Sequence, residues 1–258
     1  MLRLPDFDYY VPASIEEAVG LKAEHGPDAM FVAGGTDLYP NMKRRQQTPR
    51  AVIGLGRIAA LRSIEGEPSS GLRVGAGVTL TALAGHPVVR AAYPAVAHAA
   101  ETISTPLLRN MGTIGGNLLL DTRCNYYDQS YEWRRSIDFC MKKDGQVCWV
   151  APSSPKCWAV NSSDEAPLMV ALGAKLRFVS AEGERVVEAR DLYQKDGIDY
   201  LAKRPDELLV DLQLPATNGW RATYVKLRRR GSFDFPVLGV AARIKTADDG
   251  TVAEAAVV

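Results

Sequence analysis

Cys124, Cys140, Cys148 and Cys157 are the only thiols of this chain, and they are the residues whose spacing promises the most specific chemistry. They follow the pattern Cys-x15-Cys-x7-Cys-x8-Cys inside one segment crowded with aromatic and charged residues. The pattern has neither the Cys-x2-Cys knuckles of most zinc fingers nor the compact run of bacterial ferredoxins. Four thiols confined to one polar segment point to a shared metal, and the residue types leave an iron–sulfur cluster and zinc both open. The bland alternative is four unconnected buried thiols. Metal–thiolate bonds would also explain how a segment from Asp121 to Lys156, without a clear apolar period, becomes ordered.

Two glycine-rich loops offer a second chemistry. Gly34-Gly35-Thr36-Asp37 and Gly112-Thr113-Ile114-Gly115-Gly116-Asn117 let successive backbone N–H groups face one concavity, with Thr and Asn side chains as further donors. Such nests hold phosphate oxygens without lysine, although either loop alone also reads as a tight turn. A third segment, Gly54-Leu55-Gly56-Arg57-Ile58-Ala59, matches a dinucleotide fingerprint only in outline. A helix starting there would break at Gly66, Pro68 and Gly71, and no acid stands at the spacing a ribose needs, so it reads as a plain turn.

The elements that must position these residues follow an α/β pattern at first. Ser14 and Glu17 spell a capping box for a helix ended by His25-Gly26. Strands are expected at Ala29–Ala33, Ala51–Leu55 and Leu72–Ala76, and an Ala-rich helix from Pro94 to about Thr102. After the cysteine segment come a strand near Trp158–Asn161 and a helix from Glu165 to Leu172. A hairpin (Lys175–Val179, Arg185–Glu188) and a strand (Leu208–Leu214) follow. Ala222–Leu227, Val237–Ile244 and Thr251–Val257 read as antiparallel strands, the last an apolar edge that invites association. His25, His86 and His98 are scattered, and no Ser/His/Asp constellation competes for catalysis.

With 47% hydrophobic and 24% charged residues, the 258-residue chain has the composition of a soluble globular protein. A formal net charge of +1 argues against nucleic acid as a partner. There is no secretion signal at the N-terminus and no apolar run long enough to span a bilayer, so the expected compartment is the cytoplasm, where four cysteines are seldom disulfides.

Phe31-Val32-Ala33-Gly34-Gly35-Thr36-Asp37-Leu38 and Arg109-Asn110-Met111-Gly112-Thr113-Ile114-Gly115-Gly116-Asn117 resemble the two FAD pyrophosphate loops of the molybdenum-hydroxylase flavin subunits, the xanthine dehydrogenase family. Ser163-Asp164-Glu165-Ala166-Pro167-Leu168 and Tyr224-Val225-Lys226-Leu227-Arg228-Arg229 match as well. The resemblance implies that Phe31–Leu38 and Thr113–Asn117 hold the pyrophosphate. It places Asp164 on a ribose hydroxyl, Leu209 against the adenine side, Ile103 over the flavin ring and Lys226 in the ring region. On the residues alone, Asp164 is equally a helix cap and Lys226 to Arg230 a solvated basic edge. The cysteine segment, with Arg123-Cys124-Asn125-Tyr126-Tyr127-Asp128-Gln129 and Asp138-Phe139-Cys140-Met141-Lys142-Lys143-Asp144-Gly145, is similar to the insertion of the 4-hydroxybenzoyl-CoA reductase flavin subunits. That likeness implies a [4Fe–4S] cluster on Cys124, Cys140, Cys148 and Cys157.

The implied fold is α+β. It comprises an FAD-binding domain over 1–217, built of two α/β subdomains of the PCMH type, with an iron–sulfur insertion at 122–157. A short, truncated antiparallel β segment over 218–258 forms a partial C-terminal domain. The implied partners are a molybdenum-cofactor subunit and a [2Fe–2S] subunit in a hetero-oligomer, with ferredoxin as electron donor and substrate chemistry on the molybdenum subunit. Two rival readings remain. One is a flavin subunit of a xanthine or aromatic dehydrogenase passing electrons to NAD, and the other is a zinc-stabilised, non-catalytic interaction module.

Overall fold

Ser14 Oγ accepts the Glu17 N–H at 3.1 Å and the Glu17 carboxylate accepts the Ala13 N–H at 2.7 Å, so helix α1 (Ile15–His25) starts where its capping residues dictate. Gly26 ends it at φ +53°, a conformation that costs glycine little. The computed structural model describes residues 2–258. Strands β1 (Asp8–Tyr10), β2 (Ala29–Val32) and β3 (Ala51–Gly54) form a parallel sheet in the order β1-β3-β2. Parallel neighbours need crossovers, and α1 and the short α2 (Leu38–Lys43) supply them. The decoy glycine motif after β3 is a 3-10 turn, Leu55–Arg57, as its glycines and proline predict. Gly54 is held there by close approach: a β-carbon on it would lie 2.2 Å from the Tyr9 hydroxyl.

A second, five-stranded sheet is antiparallel throughout, in the order β4-β5-β8-β6-β7. Its members are β4 (Ile64–Glu67), β5 (Gly71–Gly75), β6 (Lys175–Ser180), β7 (Gly183–Glu188) and β8 (Leu208–Leu214). The expectation that Leu72–Ala76 continues the α/β pattern is therefore corrected. Gly66 and Gly71, at φ +103° and +108°, turn the chain back in a hairpin and hand β5 to this sheet. Strand β8 is buried on both faces. Leu208 and Val210 meet Ala18, Val19 and Ile53 of the first sheet's layer, whereas Leu209, Leu212 and Leu214 join the larger core with Leu168 and Phe178. The register shifts between Arg177 and Phe178, where Leu209 and Asp211 are the partners and Val210 is passed over. That bulge reverses the strand's alternation and lets β8 serve both cores.

The larger core is closed by α3 (Leu80–Gly85), α4 (Pro87–Ala92), α5 (Pro94–Thr102) and, beyond α6 (Pro106–Arg109), which buries no residue, α7 (Ile114–Leu118). One turn, α8 (Tyr131–Ser136), lies in the cysteine segment; α9 (Glu165–Leu172) and α10 (Ala189–Leu192) follow. The strand expected near Trp158–Asn161 reduces to a single bridge between Arg123 and Val160. A third sheet, β9 (Trp220–Leu227), β10 (Leu238–Thr246) and β11 (Val252–Val257), is antiparallel as expected, in the order β11-β10-β9. Its inner face gives Tyr224 and Ala241 to the larger core, while Val225, Leu227, Val237 and Leu238 stay exposed. No helix among the described residues is long and apolar enough to cross a membrane.

Glu165 opens α9 with a fully buried carboxyl group whose two oxygens meet no hydrogen-bond partner, and burial pushes its pKa well above the ordinary value of 4.5. The folded chain therefore keeps a proton that the unfolded chain releases. Stability is lost as pH rises above about 4.5 toward the raised value. Glu165→Gln, which mimics the protonated form, should match the wild type in melting temperature near pH 5 and exceed it near pH 8. Equal differences at the two pH values, measured by thermal melts, would show that Glu165 carries no such penalty.

Candidate functional site

The two glycine segments meet. A β-carbon on Gly34 would sit 1.8 Å from the Met111 carbonyl oxygen and 3.0 Å from the Gly112 nitrogen, and one on Gly112 would lie 3.5 Å from Thr36 Oγ1. Gly35, at φ +70°, turns the chain under the Tyr39 ring. The loops are not equivalent, however. Among the described residues, none of the backbone N–H groups from Gly34 to Leu38 donates to another group, so this loop keeps its donors open. In the second segment the N–H groups of Ile114 and Gly115 donate to Val78 and Ala76. Those of Gly116 and Asn117 donate to the Thr113 hydroxyl and carbonyl. That segment is no open nest: Thr113 caps the single turn α7, and Gly115 is required because Ala76 lies against it. The first loop offers donors, and the second forms a backbone wall beside them.

Asn117 carries the arrangement onward. Its side-chain oxygen accepts from the Ser163 hydroxyl at 2.7 Å and from the Glu165 N–H at 3.3 Å, capping α9. Asp164 makes no cap of its own. Its carboxylate accepts from the Tyr224 hydroxyl at 2.8 Å and from Lys226 Nζ at 3.1 Å, and Lys226 also donates to the Thr102 carbonyl. Both members of this ion pair are buried, so the solvated basic edge is not where Lys226 belongs. Burial pushes the Asp164 carboxyl up, and Lys226 and Tyr224 pull it back down. Burial, and then the Asp164 carboxylate, hold the Tyr224 phenol far above its usual range. Ile103 follows Thr102 directly as the C-cap of α5, so Asn117, Asp164, Lys226 and Ile103 gather in one region. Leu209, on β8, is enclosed in the larger core, the cluster to which Ile103 also belongs. Phe31, Val32 and Ala33 lead from β2 into the first loop, and Asp37 and Leu38 begin α2.

Cys124, Cys140, Cys148 and Cys157 line one small cavity, of about 10 Å³ and partly open to solvent. None is in a disulfide. Among the described residues no three or more His, Cys, Asp or Glu groups stand close enough together to hold a metal ion. Burial pushes the Cys157 thiol up, with the neighbouring Cys148 and Cys140 in the same direction and Lys142 against them. The Ala159 N–H donates to Cys157 Sγ at 3.4 Å.

The segment holding these thiols is ordered by buried polar ties, none of which its composition announces. Arg134, with no exposed surface, donates to the Arg44 and Arg45 carbonyls at 3.1 and 3.2 Å, and Gln46 donates to the Tyr127 carbonyl at 2.6 Å. Arg123, next to Cys124, pairs with Asp37 of the first glycine loop and with Asp128. Asp121, Lys142, Arg123, Arg134 and Tyr224 were not singled out from the sequence. Their partners lie far away along the chain, and no local spacing signals such pairs.

Residues 5–217 match the family model described as the FAD binding domain in molybdopterin dehydrogenase. The chain belongs to this family. The domain is 35% identical over 242 residues to the aldehyde oxidoreductase FAD-binding subunit PaoB of Escherichia coli (strain K12), covering 90% of this chain and 76% of that one. It is 33% identical to the carbon monoxide dehydrogenase medium chain of Afipia carboxidovorans, over 87% of this chain and 64% of that one. A solved carbon monoxide dehydrogenase from Hydrogenophaga pseudoflava, which lacks the Mo-pyranopterin moiety of its molybdenum cofactor, superposes with a TM-score of 0.78 at 28% identity. That match covers 99% of this chain and 74% of the solved one. The family accounts for FAD as cofactor and for an oxidoreductase role. None of these three names mentions 4-hydroxybenzoyl-CoA reductase.

Two substitutions probe this geometry. Gly34→Ala forces a β-carbon into the Met111 carbonyl, so stability should fall by about 1–3 kcal/mol and the flavin absorbance of purified protein should drop with it. An unchanged melting temperature and full flavin content would mean that the loops do not depend on this contact. Asp164→Ala leaves the Lys226 ammonium buried without its partner, which should cost about 3–5 kcal/mol of stability. Denaturant unfolding measures it. The sequence alone suggests only the milder loss of one ligand hydrogen bond.

Proposed function

We propose that this chain is the electron-transfer subunit of a molybdenum enzyme of the 4-hydroxybenzoyl-CoA reductase type, carrying FAD and one [4Fe–4S] cluster. FAD would lie with its pyrophosphate on the open N–H groups of Gly34–Leu38, backed by Thr113–Asn117. Asp164, Lys226, Ile103 and Leu209 would serve its ribose, ring and adenine regions. The residues fit the group: the first loop has uncommitted donors and no side chain at two successive positions, the condition for backbone to approach an anionic phosphate. When bound, FAD supplies electron exchange in ones or twos.

The observation that carries the finer reading is the convergence of all four cysteines on one cavity. A single ion demands thiolates within reach of one centre, whereas the ligands of a cluster each bind a different iron and stand further apart. Four thiols lining one shared cavity, with no histidine or carboxylate among the lining residues, supply the donor set of a cluster that takes one thiolate per iron. The proposal extends to the assembly: a molybdenum-cofactor subunit and a [2Fe–2S] subunit in the cytoplasm, with a ferredoxin as donor. The exposed apolar face of β9 and β10 is the kind of surface that such partners cover. In domain terms, 1–217 with its insertion at 122–157 would be the flavin unit, and 218–258 part of a further domain.

Anaerobically purified protein should hold about four irons and four acid-labile sulfides per chain, one iron per thiolate, together with FAD. Cys148→Ala should lose or degrade the cluster and keep most of the flavin. Stoichiometric zinc without sulfide would overturn the cluster, and release of FMN would overturn the pyrophosphate assignment. Rapid flavin reduction by NADH, with none by reduced ferredoxin, would favour the NAD-linked dehydrogenase.

A further inference from the structure

Lys142 stands in the wall of the four-cysteine cavity and is the one charged residue lining it besides the thiols. Its side chain is 6% exposed. Nζ donates to Asp121 Oδ1 at 2.9 Å, to Thr122 Oγ1 at 2.7 Å and to the Gly197 carbonyl at 2.6 Å. The Tyr127 and Tyr200 ring centroids lie 4.9 and 5.2 Å away. Three acceptors and two ring faces fix the ammonium in one position. Gly197 ties that position to a thiol. Its N–H donates to the Cys157 carbonyl at 3.0 Å, and a β-carbon on it would lie 2.6 Å from Cys157 Sγ. Asp121 does not line the cavity, and its second oxygen accepts from the Tyr127 hydroxyl at 3.0 Å. Of this buried pair, Lys142 lines the cavity and Asp121 does not.

We propose that Lys142 is a positioning residue that raises the reduction potential of the cluster ligated by Cys124, Cys140, Cys148 and Cys157. The inference rests on reading those cysteines as cluster ligands. One electron from an external low-potential donor adds one negative charge to a group already anionic through its four thiolates. No bond forms or breaks, and no proton is needed. A fixed cation beside the group stabilises the more negative state, and burial leaves that field little screened. Asp121 acts in the opposite sense, because it offsets part of the same charge. The two residues thus carry opposite predicted signs, which a purely structural role would not produce.

The test compares the wild-type chain with Lys142→Met and Asp121→Asn, all purified anaerobically. Iron and sulfide content is measured first, and the cluster midpoint potential is then followed by its EPR signal. Lys142→Met leaves the Gly197 carbonyl partnered, since the Thr122 hydroxyl also donates to it at 2.6 Å. Its cluster should be about tenfold harder to reduce, equivalent to about 59 mV for a one-electron couple, and that of Asp121→Asn should be easier to reduce than the wild type. Wild-type protein free of iron and sulfide overturns the cluster reading itself. With the cluster present in all three proteins, equal potentials, or shifts of the same sign in both variants, overturn the role of Lys142 alone. Should Lys142→Met fail to assemble a cluster, Asp121→Asn decides: a raised midpoint supports the inference, and an unchanged or lowered one overturns it.

Discussion

The approach of Gly34 to the Met111–Gly112 backbone is the constraint on which the rest of the site depends. With a β-carbon clearance of 1.8 Å, only glycine lets the parallel-sheet layer and the helical layer meet there. The meeting leaves the N–H groups of Gly34–Leu38 uncommitted, because the backbone opposite them has already used its own donors on Val78, Ala76 and Thr113. A floor of open donors thus arises from a division of labour. One loop is held open by the other, and the second loop is held by strand-like contacts to the segment after β5.

From that contact a polar chain runs outward. Asn117 caps α9, Asp164 pairs with Lys226 and Tyr224, and Lys226 reaches the end of α5. Hydrogen bonds satisfy Asp164 and Lys226 inside the protein, while Glu165 beside them meets none and is pushed toward its neutral form. The third sheet is fastened to the flavin domain by the same groups, so residues that a ligand would use also hold the fold together.

The cysteine segment is organised on another principle. None of its residues joins the three hydrophobic clusters, and it is held by the guanidinium of Arg134 on the carbonyls after α2, by Gln46 on Tyr127, and by Arg123 on Asp37. Charged hydrogen bonds to backbone substitute for a hydrophobic core. They place the segment directly against the first glycine loop, which brings the thiol cavity and the open donors into one connected polar network.

Much of this was legible in the residues themselves. The capping box at Ser14, the turn at Gly54, the helix at Glu165–Leu172 and the three C-terminal strands depend on contacts a few residues long, and such contacts are written in local spacing. The four cysteines announced a shared site because their type and confinement to one segment are rare without one. The glycine motifs showed where backbone could approach closely but not which of the two loops would keep its donors, since that depends on what lies opposite each loop. The sequence by itself determined which residue types are available for binding and where the helices begin. Only the tertiary structure decided that β5 leaves the parallel sheet, that Asp164 answers to Lys226 and not to its own helix, and that Lys142 is tied to Asp121 and Gly197 in the wall of the thiol cavity. Each of these is a pairing across tens of residues, set by how buried charge and shape are satisfied in three dimensions, and no period in the chain encodes it.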